Sequence, residues 1–323
     1  MLRQRRSAVV WLTSAGLCAA RAQPAAAATK PLRIIVPQPP GGATDAIARL
    51  IGQGMTASSG RAVVIENRPG AGTILGTLAV AHAVPDGNTI SLIVSAHAIN
   101  QALRKKMPFD ALADFAPVCL GGHAVMALVA SAGFPAQTVQ ELIRLARRSP
   151  QPVAFASLGI GTASHLAGRL LALKAGIALQ HLPYNGSAQI YRAMHGDQVR
   201  LAVVTLESAL PHLRAGRIEL LGVTTARRNA AFPQFPAIAE TLDGYEVLSF
   251  FGFLAPARTP SARVERLYRD ISNALREPAV SRRLADMAIV VDLAAPGAFE
   301  SFLRDQIRRY AEIGRLSGIR IES

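Results

Sequence analysis

Cysteine and tryptophan are almost absent from this sequence, which contains two cysteines and one tryptophan in 323 residues. Cys18 lies in the apolar segment at the N-terminus, so Cys119 is the single cysteine of the remaining chain. One cysteine cannot form an intramolecular disulfide, and it provides too few ligands for a zinc site. We expect Cys119 to be buried in a strand, in a fold without a disulfide or a bound metal.

Charged residues make up only 17% of the chain, and basic residues outnumber acidic ones, for a net charge of +14. The first 28 residues contain four arginines and no acidic residue, which leaves about +10 for the rest of the chain. Such a charge permits binding to nucleic acid or to small anions. No basic run is interleaved with aromatic residues, so we predict a solvated basic surface and no nucleic-acid partner.

The N-terminus has the pattern of a secretory signal peptide. Three arginines precede an uncharged apolar run, Ser7–Ala20, and small residues follow it. We expect cleavage after Ala22 or within Ala25–Ala28. The run is too short for a permanent membrane span, and the bulky residue before Cys18 argues against lipoprotein processing. Residues 1–28 are therefore predicted to direct the protein to the periplasm.

Short β-branched runs alternate with amphipathic stretches of helical length from Pro31 onward. Near the C-terminus, apolar residues recur at helical spacing from Val264 to Leu275. This alternation predicts α/β lobes with mostly parallel sheets flanked by helices. The predicted strands are Leu32–Val36, Ala62–Glu66, Thr89–Val94, Val125–Ala130, Val153–Ser157, Arg200–Val204 and Glu219–Thr224.

Three glycine-containing turns, each between a strand and a helix, are the main functional signal. A helix N-terminus has unpaired N–H groups and a partial positive charge, and glycine lets a ligand approach that backbone. Several such ends in one cleft would bind a carboxylate without a cation, although any single turn alone is more typical of an ordinary helix cap. The turns contain Pro40, Gly41, Gly42, Thr44 and Asp45; then Ser157, Gly159, Gly161 and Thr162, before a helix with His165; then Pro183, Asn185 and Gly186.

The distribution of acidic residues supports an anion site. No Asp or Glu occurs between Glu141 and Asp197, an interval that contains six lysines and arginines and three histidines. Two of the three turns lie in this interval, so the local potential is positive. Chance in an arginine-rich chain is the alternative explanation.

No catalytic constellation appears in the sequence. Gly159–Ser164 resembles a dinucleotide fingerprint, but Ser164 replaces the third glycine and no acidic residue follows to bind a ribose. A P-loop, a nucleophile elbow and the metalloprotease histidine spacing are absent. His165 is the best candidate for a general base, yet no local carboxylate orients it. We predict a protein without catalytic residues or cofactor; an exported hydrolase using Ser157 or Ser164 with His165 is the remote alternative.

A series of motifs from about Pro31 almost to the C-terminus resembles the Bug, or TctC-like, solute-binding proteins of tripartite tricarboxylate transport systems. The resemblance implies two lobes hinged as in type II-like periplasmic binding proteins, with a carboxylate between them. It also implies a first lobe over residues 29–125 and 226–323 and a second over 126–225. The motifs include VPQPPGGATD, VIENRPGAGTILGTLAV, SLGIGTASHLAG, HLPYNGSAQ and FGFLAPARTP.

The same resemblance implies ligand contacts at matching positions. Asp45 is expected to orient its loop, because a carboxylate facing an anionic ligand would repel it. The implied contacts are Pro40, Gly41, Gly42, Thr44, Asp45 and Ser95 in the first lobe, and Ser157, Gly159, Gly161, Thr162, His165, Tyr184, Asn185, Gly186 and Thr205 in the second.

Three positions depart from the family pattern. Gln38 occupies a position that is often aromatic, Asn185 replaces a common lysine, and Val204 replaces an acid that many members carry. If that acid binds ligand amines in relatives, this chain should not favour amino acids through the same contact.

Together these observations predict a monomeric periplasmic receptor for a small mono- or dicarboxylate, which closes about a hinge when the ligand bridges both lobes. Its expected partners are the membrane subunits of a tripartite tricarboxylate-type transporter. A receptor that reports ligand occupancy to a membrane sensor kinase is the alternative, and residues alone do not separate the two.

Overall fold

The computed structural model describes residues 30–321, so the predicted signal peptide lies outside the described residues. The strands are β1 (Leu32–Val36), β2 (Val63–Asn67), β3 (Thr89–Val94), β4 (Phe115–Ala124), β5 (Met126–Ser131), β6 (Val153–Ser157), β7 (Leu179–Pro183), β8 (Leu201–Thr205), β9 (Ile218–Val223), β10 (Ser249–Pro256) and β11 (Ile289–Ala294). The α-helices are α1 (Ala43–Ser59), α2 (Ile74–Ala81), α3 (Ala96–Leu103), α4 (Val139–Arg148), α5 (Ala163–Ala175), α6 (Ser187–His195), α7 (Leu206–Arg214), α8 (Ser261–Arg276), α9 (Pro278–Asp286) and α10 (Pro296–Ser317).

The strands form two sheets, one in each lobe. The first has the order β11-β4-β10-β3-β1-β2, and the second has the order β7-β6-β8-β5-β9. The predicted two-lobed α/β fold is confirmed, with helices packed on the sheets. The expectation of mostly parallel sheets is wrong, however, because β10 runs antiparallel to β3 and β4, β11 to β4, and β5 to β8 and β9. Of these, β5 and β10 are the strands that the chain enters directly after a crossing between the lobes, without a preceding helix from the same sheet.

The chain passes from the first sheet to the second through one residue. Val125 separates β4 from β5; its N–H donates to the carbonyl of Ala288, and its own carbonyl accepts from the N–H of Leu206. Both polar groups of the buried crossing backbone are therefore hydrogen-bonded, as burial requires.

The return crossing lies later in the chain. After β9, the hydroxyl of Tyr245 donates to the carbonyl of Ala167 in α5 at 3.0 Å, and Val223 donates to Pro236. The intervening segment thus contacts the second lobe, and the chain enters the first sheet only at Ser249. The predicted lobe boundaries, with a return at 225/226, stay a prediction.

Local sequence accounts for most of the strands. The structure has β1, β3 and β6 over the predicted residues, and β2, β5, β8 and β9 are offset from their predictions by one residue. Cys119 is buried in β4, as expected. The strands β4, β7, β10 and β11 have no counterpart among the predicted strands. Glycine and proline interrupt β4 and β10, and both contain register shifts, so neither has a regular two-residue pattern.

Eight of the ten α-helices of residues 30–321 come next after a strand in the chain, among them α1 after β1, α3 after β3, α5 after β6 and α7 after β8. The long α10 packs against α3 in the first lobe and against α5 in the second, so it contacts both lobes. Among the helices of residues 30–321, none combines the length and the apolar character needed to cross a bilayer.

Candidate functional site

A cavity of about 260 Å³ lies between the two lobes. This is just below the range of roughly 300–1,000 Å³ that is typical of pockets for drug-sized ligands, so it suits a small metabolite. No ionisable side chain is among its lining residues in the described chain. The lining consists of Gln38, Ala43, Thr44, Ile47, Val94, Ser95, Ala96, Ala124, Met126, Leu158, Thr162, Ala163, Ser164, Thr205, Ser249, Phe250 and Phe251.

Four helix starts contribute to this lining. Thr44 is in the first turn of α1, Ser95 is the N-cap of α3, Thr162 is the N-cap of α5 and Thr205 is the N-cap of α7. The first N–H groups of a helix have no intrahelical acceptor and carry a partial positive charge. Because two of these starts belong to each lobe, an anion in the cavity would lie between positive helix ends on both sides.

At the start of α5, side-chain hydroxyls hold the loop in shape. The hydroxyl of Thr162 donates to the carbonyl of Gly159 at 2.7 Å, and that of Ser164 accepts from the N–H of Leu158 at 2.9 Å. The N–H groups of Ala163 and Ser164 have no partner within residues 30–321. Backbone N–H groups are therefore the available donors on this side of the cavity.

Two predicted contacts of the second lobe lie behind this loop rather than in the cavity. Ser157 is completely buried, and its Oγ lies 2.6 Å from Nε2 of His181. The ring of His165 stacks on that of His181, with centroids 3.9 Å apart, and its Nδ1 accepts from the N–H of Gly161 at 3.4 Å. A buried serine cannot reach an external substrate, so this Ser–His pair supports the loop.

Both imidazoles are neutral at physiological pH. Burial lowers the pKa of His165 to about 3, with smaller contributions from His181 and Arg169. Burial also lowers the pKa of His181 to about 4, and the positive charge of Arg169 acts in the same direction. The stacked pair therefore holds the loop without adding a charge to it.

The C-terminus supports the same loop from behind. Gly161 has φ +74°, and a Cβ at this position would lie 2.6 Å from Cδ1 of Ile321. Ile321 in turn donates its N–H to the carbonyl of Leu103 in α3, and Arg169 donates to the carbonyl of Ser317 at 2.7 Å. The last described residues thus connect the first lobe to the back of the α5 loop.

The first-lobe loop is held by Asp45. Its Oδ2 accepts from the N–H of Gly41 and from Nε of Arg49, each at 2.9 Å. The hydrogen-bonded Arg49 guanidinium is the main reason that the pKa of this carboxyl is lowered. The hydroxyl of Thr44 donates to the side-chain amide oxygen of Gln38 at 2.6 Å. These contacts support the expectation that Asp45 orients the loop.

The third predicted turn lies away from the cavity. The N–H of Tyr184 donates to the carbonyl of Ser157 next to the β6–β7 pair, and the N–H of exposed Asn185 donates to the side chain of Gln189. Gly186 is the N-cap of α6. The loop therefore caps its own helix, and its role in ligand binding stays a prediction.

Of the predicted site residues, only Thr44, Ser95, Thr162 and Thr205 line the cavity. The others are not among its lining residues: Pro40, Gly41, Gly42, Asp45, Ser157, Gly159, Gly161, His165, Tyr184, Asn185 and Gly186. Ligand contact stays a prediction for both sets.

Sequence reasoning missed most of the cavity wall. Ser249–Phe251 reach the cavity at the start of β10, and Met126 at the start of β5. These residues are apolar or small and have no motif of their own. The only available signal is their place at the two crossings between the sheets, which becomes visible once the topology is known.

Comparison with known proteins places the chain in a family. The family described as "Tripartite tricarboxylate transporter family receptor" matches residues 47–318. Protein BugT of Bordetella pertussis is 31% identical over 321 residues, which is 97% of each chain. A UPF0065 protein in the tcbD-tcbE intergenic region of a Pseudomonas species is 35% identical over 287 residues, or 88% of this chain and 85% of the relative.

Solved structures have the same fold. The R. palustris protein Rpa4515 with adipate has a TM-score of 0.80 and 29% identity, over 91% of this chain and 99% of its own. MatC from Rhodopseudomonas palustris with bound malate has a TM-score of 0.76 and 29% identity, over 88% and 99%. The periplasmic binding protein BugD has a TM-score of 0.77 and 29% identity, over 91% and 99%. The chain therefore belongs to the tripartite tricarboxylate transporter receptor family, with the Bug proteins, and is a solute-binding protein rather than an enzyme.

Proposed function

We propose that this protein is exported to the periplasm, where it captures a small organic mono- or dicarboxylate for the membrane subunits of a tripartite tricarboxylate-type transporter. One observation carries the proposal: helix starts of both lobes line a single cavity that contains no ionisable side chain among the described residues. Helix starts bind anions through backbone N–H groups and their partial charge. A carboxylate is therefore the chemical group that this cavity suits best.

The relatives support this ligand class. The solved structures with adipate and with malate have the same fold as this chain along most of its length. Both ligands are dicarboxylates that fit a cavity of this size. The family description names a transporter receptor, which supports delivery to a membrane partner.

Binding is coupled to lobe closure in this proposal. A ligand that contacts α1 and α3 in one lobe and α5 and α7 in the other stabilises the closed form over the open one. Only the closed form then presents the combined surface of both lobes to a partner.

The test removes one backbone donor with little effect on the fold. Ala163 is the first residue of α5, a position where proline is well tolerated, and Thr162 before it has extended backbone angles. Ala163→Pro eliminates one available N–H, so we expect carboxylate binding measured by calorimetry to weaken by at least about tenfold, the effect of roughly 1.4 kcal/mol.

Ala163→Val is the matched control, because it adds similar bulk and keeps the N–H. Mass spectrometry of the natively purified protein would provide the ligand to titrate. Equal affinity in the proline variant and the valine variant would exclude the α5 start as the carboxylate site.

A further inference from the structure

We propose that the cavity selects carboxylates with a hydrocarbon body and no ammonium group. The inference rests on the proposed function of the same cavity and narrows its substrate class.

The N–H and hydroxyl groups that face the cavity can all donate to an anion. Ser95 is 4% exposed, and its hydroxyl makes no hydrogen bond to any described residue although it lines the cavity. The N–H groups of Ala163 and Ser164 are available on the opposite side. A carboxylate accepts hydrogen bonds from all of these groups, whereas an ammonium, which has three donors and no acceptor, matches none of the N–H groups.

No carboxylate is positioned to receive an ammonium. Asp45 does not line the cavity; its Oδ2 accepts from Gly41 and Arg49, and its Oδ1, which has no hydrogen-bond partner among the described residues, is buried. Val204 is fully buried in the apolar core of the second lobe. Glu207 is exposed on α7 and does not line the cavity either. An ammonium enclosed here would lose its hydration without an opposite charge to replace it.

Much of the cavity wall is apolar, and several of the hydroxyls that line it already donate hydrogen bonds within the protein. Ile47, Val94, Met126 and Leu158 contribute hydrocarbon surface to the cavity. The hydroxyl of Thr205 donates to Ser208 at 3.0 Å, as that of Thr44 does to Gln38 and that of Thr162 to Gly159. Of the lining side chains in the described chain, Ser95, Ser249 and the amide N–H groups of Gln38 remain to solvate a polar substituent on the ligand body. This small number favours hydrocarbon between or beyond the carboxylates.

Matched ligand pairs test the inference on the unaltered protein. Glutarate and glutamate differ only by the ammonium group, as do succinate and aspartate, and 3-phenylpropionate and phenylalanine. After removal of any retained ligand, calorimetry should show that the ammonium-free member binds at least 100-fold more tightly in each pair that binds. Binding of both members within threefold of each other would overturn the inference.

A negative charge placed in the cavity tests whether the absence of an acidic side chain is the reason that ammonium groups are rejected. Thr205 is the N-cap of α7, where Asp and Asn are both well accepted. Thr205→Asp supplies an acceptor for an ammonium, and Thr205→Asn has the same size without the charge. We expect the glutarate-to-glutamate affinity ratio to be at least tenfold smaller in the Asp variant than in the Asn variant; equal ratios would show that missing acidity is not the cause.

The ligand panel separates failure of the proposed function from failure of the proposed selectivity. If no carboxylate from either half of the panel binds the unaltered protein, the proposed function of the cavity is wrong. If carboxylates bind but the amino acids bind equally well, the proposed function stands and the selectivity inference is wrong.

Discussion

The cavity is bounded by the start of α1 in the first lobe and by the start of α5 in the second, and these two helix starts are held in different ways. On the first side, Asp45 accepts from Gly41 and from Arg49, whose side chain is 51% exposed. On the second side, Ser157 and the stacked histidines His165 and His181 lie behind the loop, and Ile321 covers Gly161. One loop is held by a buried carboxylate whose arginine partner is half exposed, and the other is held by contacts among buried groups.

The difference predicts which side of the cavity is more rigid. An ion pair whose arginine is half exposed is screened by water and contributes about 1 kcal/mol or less, whereas the second side is held by several hydrogen bonds among buried groups, each contributing roughly 0.5–1.5 kcal/mol. We therefore expect the α5 loop to keep its shape whether or not ligand is bound, and the α1 loop to adjust. Substitutions around the α5 loop should accordingly lower carboxylate affinity or the free energy of unfolding more than substitutions around the α1 loop.

The largest effect is expected at Gly161. Gly161→Ala places a side chain on a backbone with φ +74° and directs its Cβ at Ile321, so strain of about 1–3 kcal/mol should destabilise the native loop. We expect carboxylate affinity to fall at least tenfold as the loop relaxes, measured by calorimetry. Combining it with Ile321→Ala removes the collision and should restore part of the loss, because the two residues are in contact. If the effects of the two substitutions are additive, the side chain of Ile321 does not support the loop at Gly161.

His181→Leu should have the next largest effect. It removes the side chain that lies 2.6 Å from the Ser157 hydroxyl, which keeps its contacts with the N–H and the carbonyl of Gly159. The loss of one hydrogen bond should lower the free energy of unfolding by about 0.5–1.5 kcal/mol. Urea unfolding measures it, with His82→Leu on an exposed residue of the first lobe as control. If both variants are equally stable, the buried side of the cavity does not depend on this contact.

As the pH decreases, the histidine contacts of the second lobe should lose their contribution to stability before the Asp45–Arg49 pair of the first lobe does. Unfolded histidine has a pKa near 6.5, whereas His165 and His181 have pKa values of about 3 and about 4 in the fold. Between these values the unfolded chain binds more protons, so stability is complete above pH 6.5 and falls as the pH decreases. The lowered pKa of Asp45 acts only below its ordinary value of 3.8.

Urea midpoints between pH 7 and pH 4.5 measure this dependence. A variant with both His165→Gln and His181→Gln should show a shallower decrease than the unaltered protein. His97 and His123, whose pKa values burial also lowers, keep part of the dependence in both proteins. If the urea midpoints of the two proteins decrease in parallel with pH, the stacked histidines do not cause the loss of stability in acid.

The smallest effect is expected for Asp45→Asn. The variant weakens the pair with half-exposed Arg49 but keeps an oxygen for the N–H of Gly41, so the cost should stay within about 1 kcal/mol. Affinity should change less than threefold, because looser loop geometry and the loss of a negative charge near the ligand act in opposite directions. A loss as large as that of Gly161→Ala would reverse the comparison between the two lobes.

Local sequence was sufficient for seven of the eleven strands of residues 30–321 and for two of the four helix starts. The β1–α1 and β6–α5 turns were predicted from glycine, threonine and proline, because φ/ψ preference and capping are properties of a few adjacent residues. Ser95 and Thr205 entered the prediction only through the family resemblance. The Tyr184–Gly186 turn has the same local features, yet it does not line the cavity.

The sequence by itself thus determined the two α/β lobes, the family and the chemical nature of the site, which is rich in helix starts and poor in acidic residues. Only the tertiary structure decided which helix starts share a cavity, that Ser157 and His165 lie behind the loop, and that β10 and Ile321 complete it. The reason is that a cap is made by neighbours in the chain. A cavity, in contrast, is made where residues far apart in sequence meet, and that depends on how the chain crosses twice between the sheets.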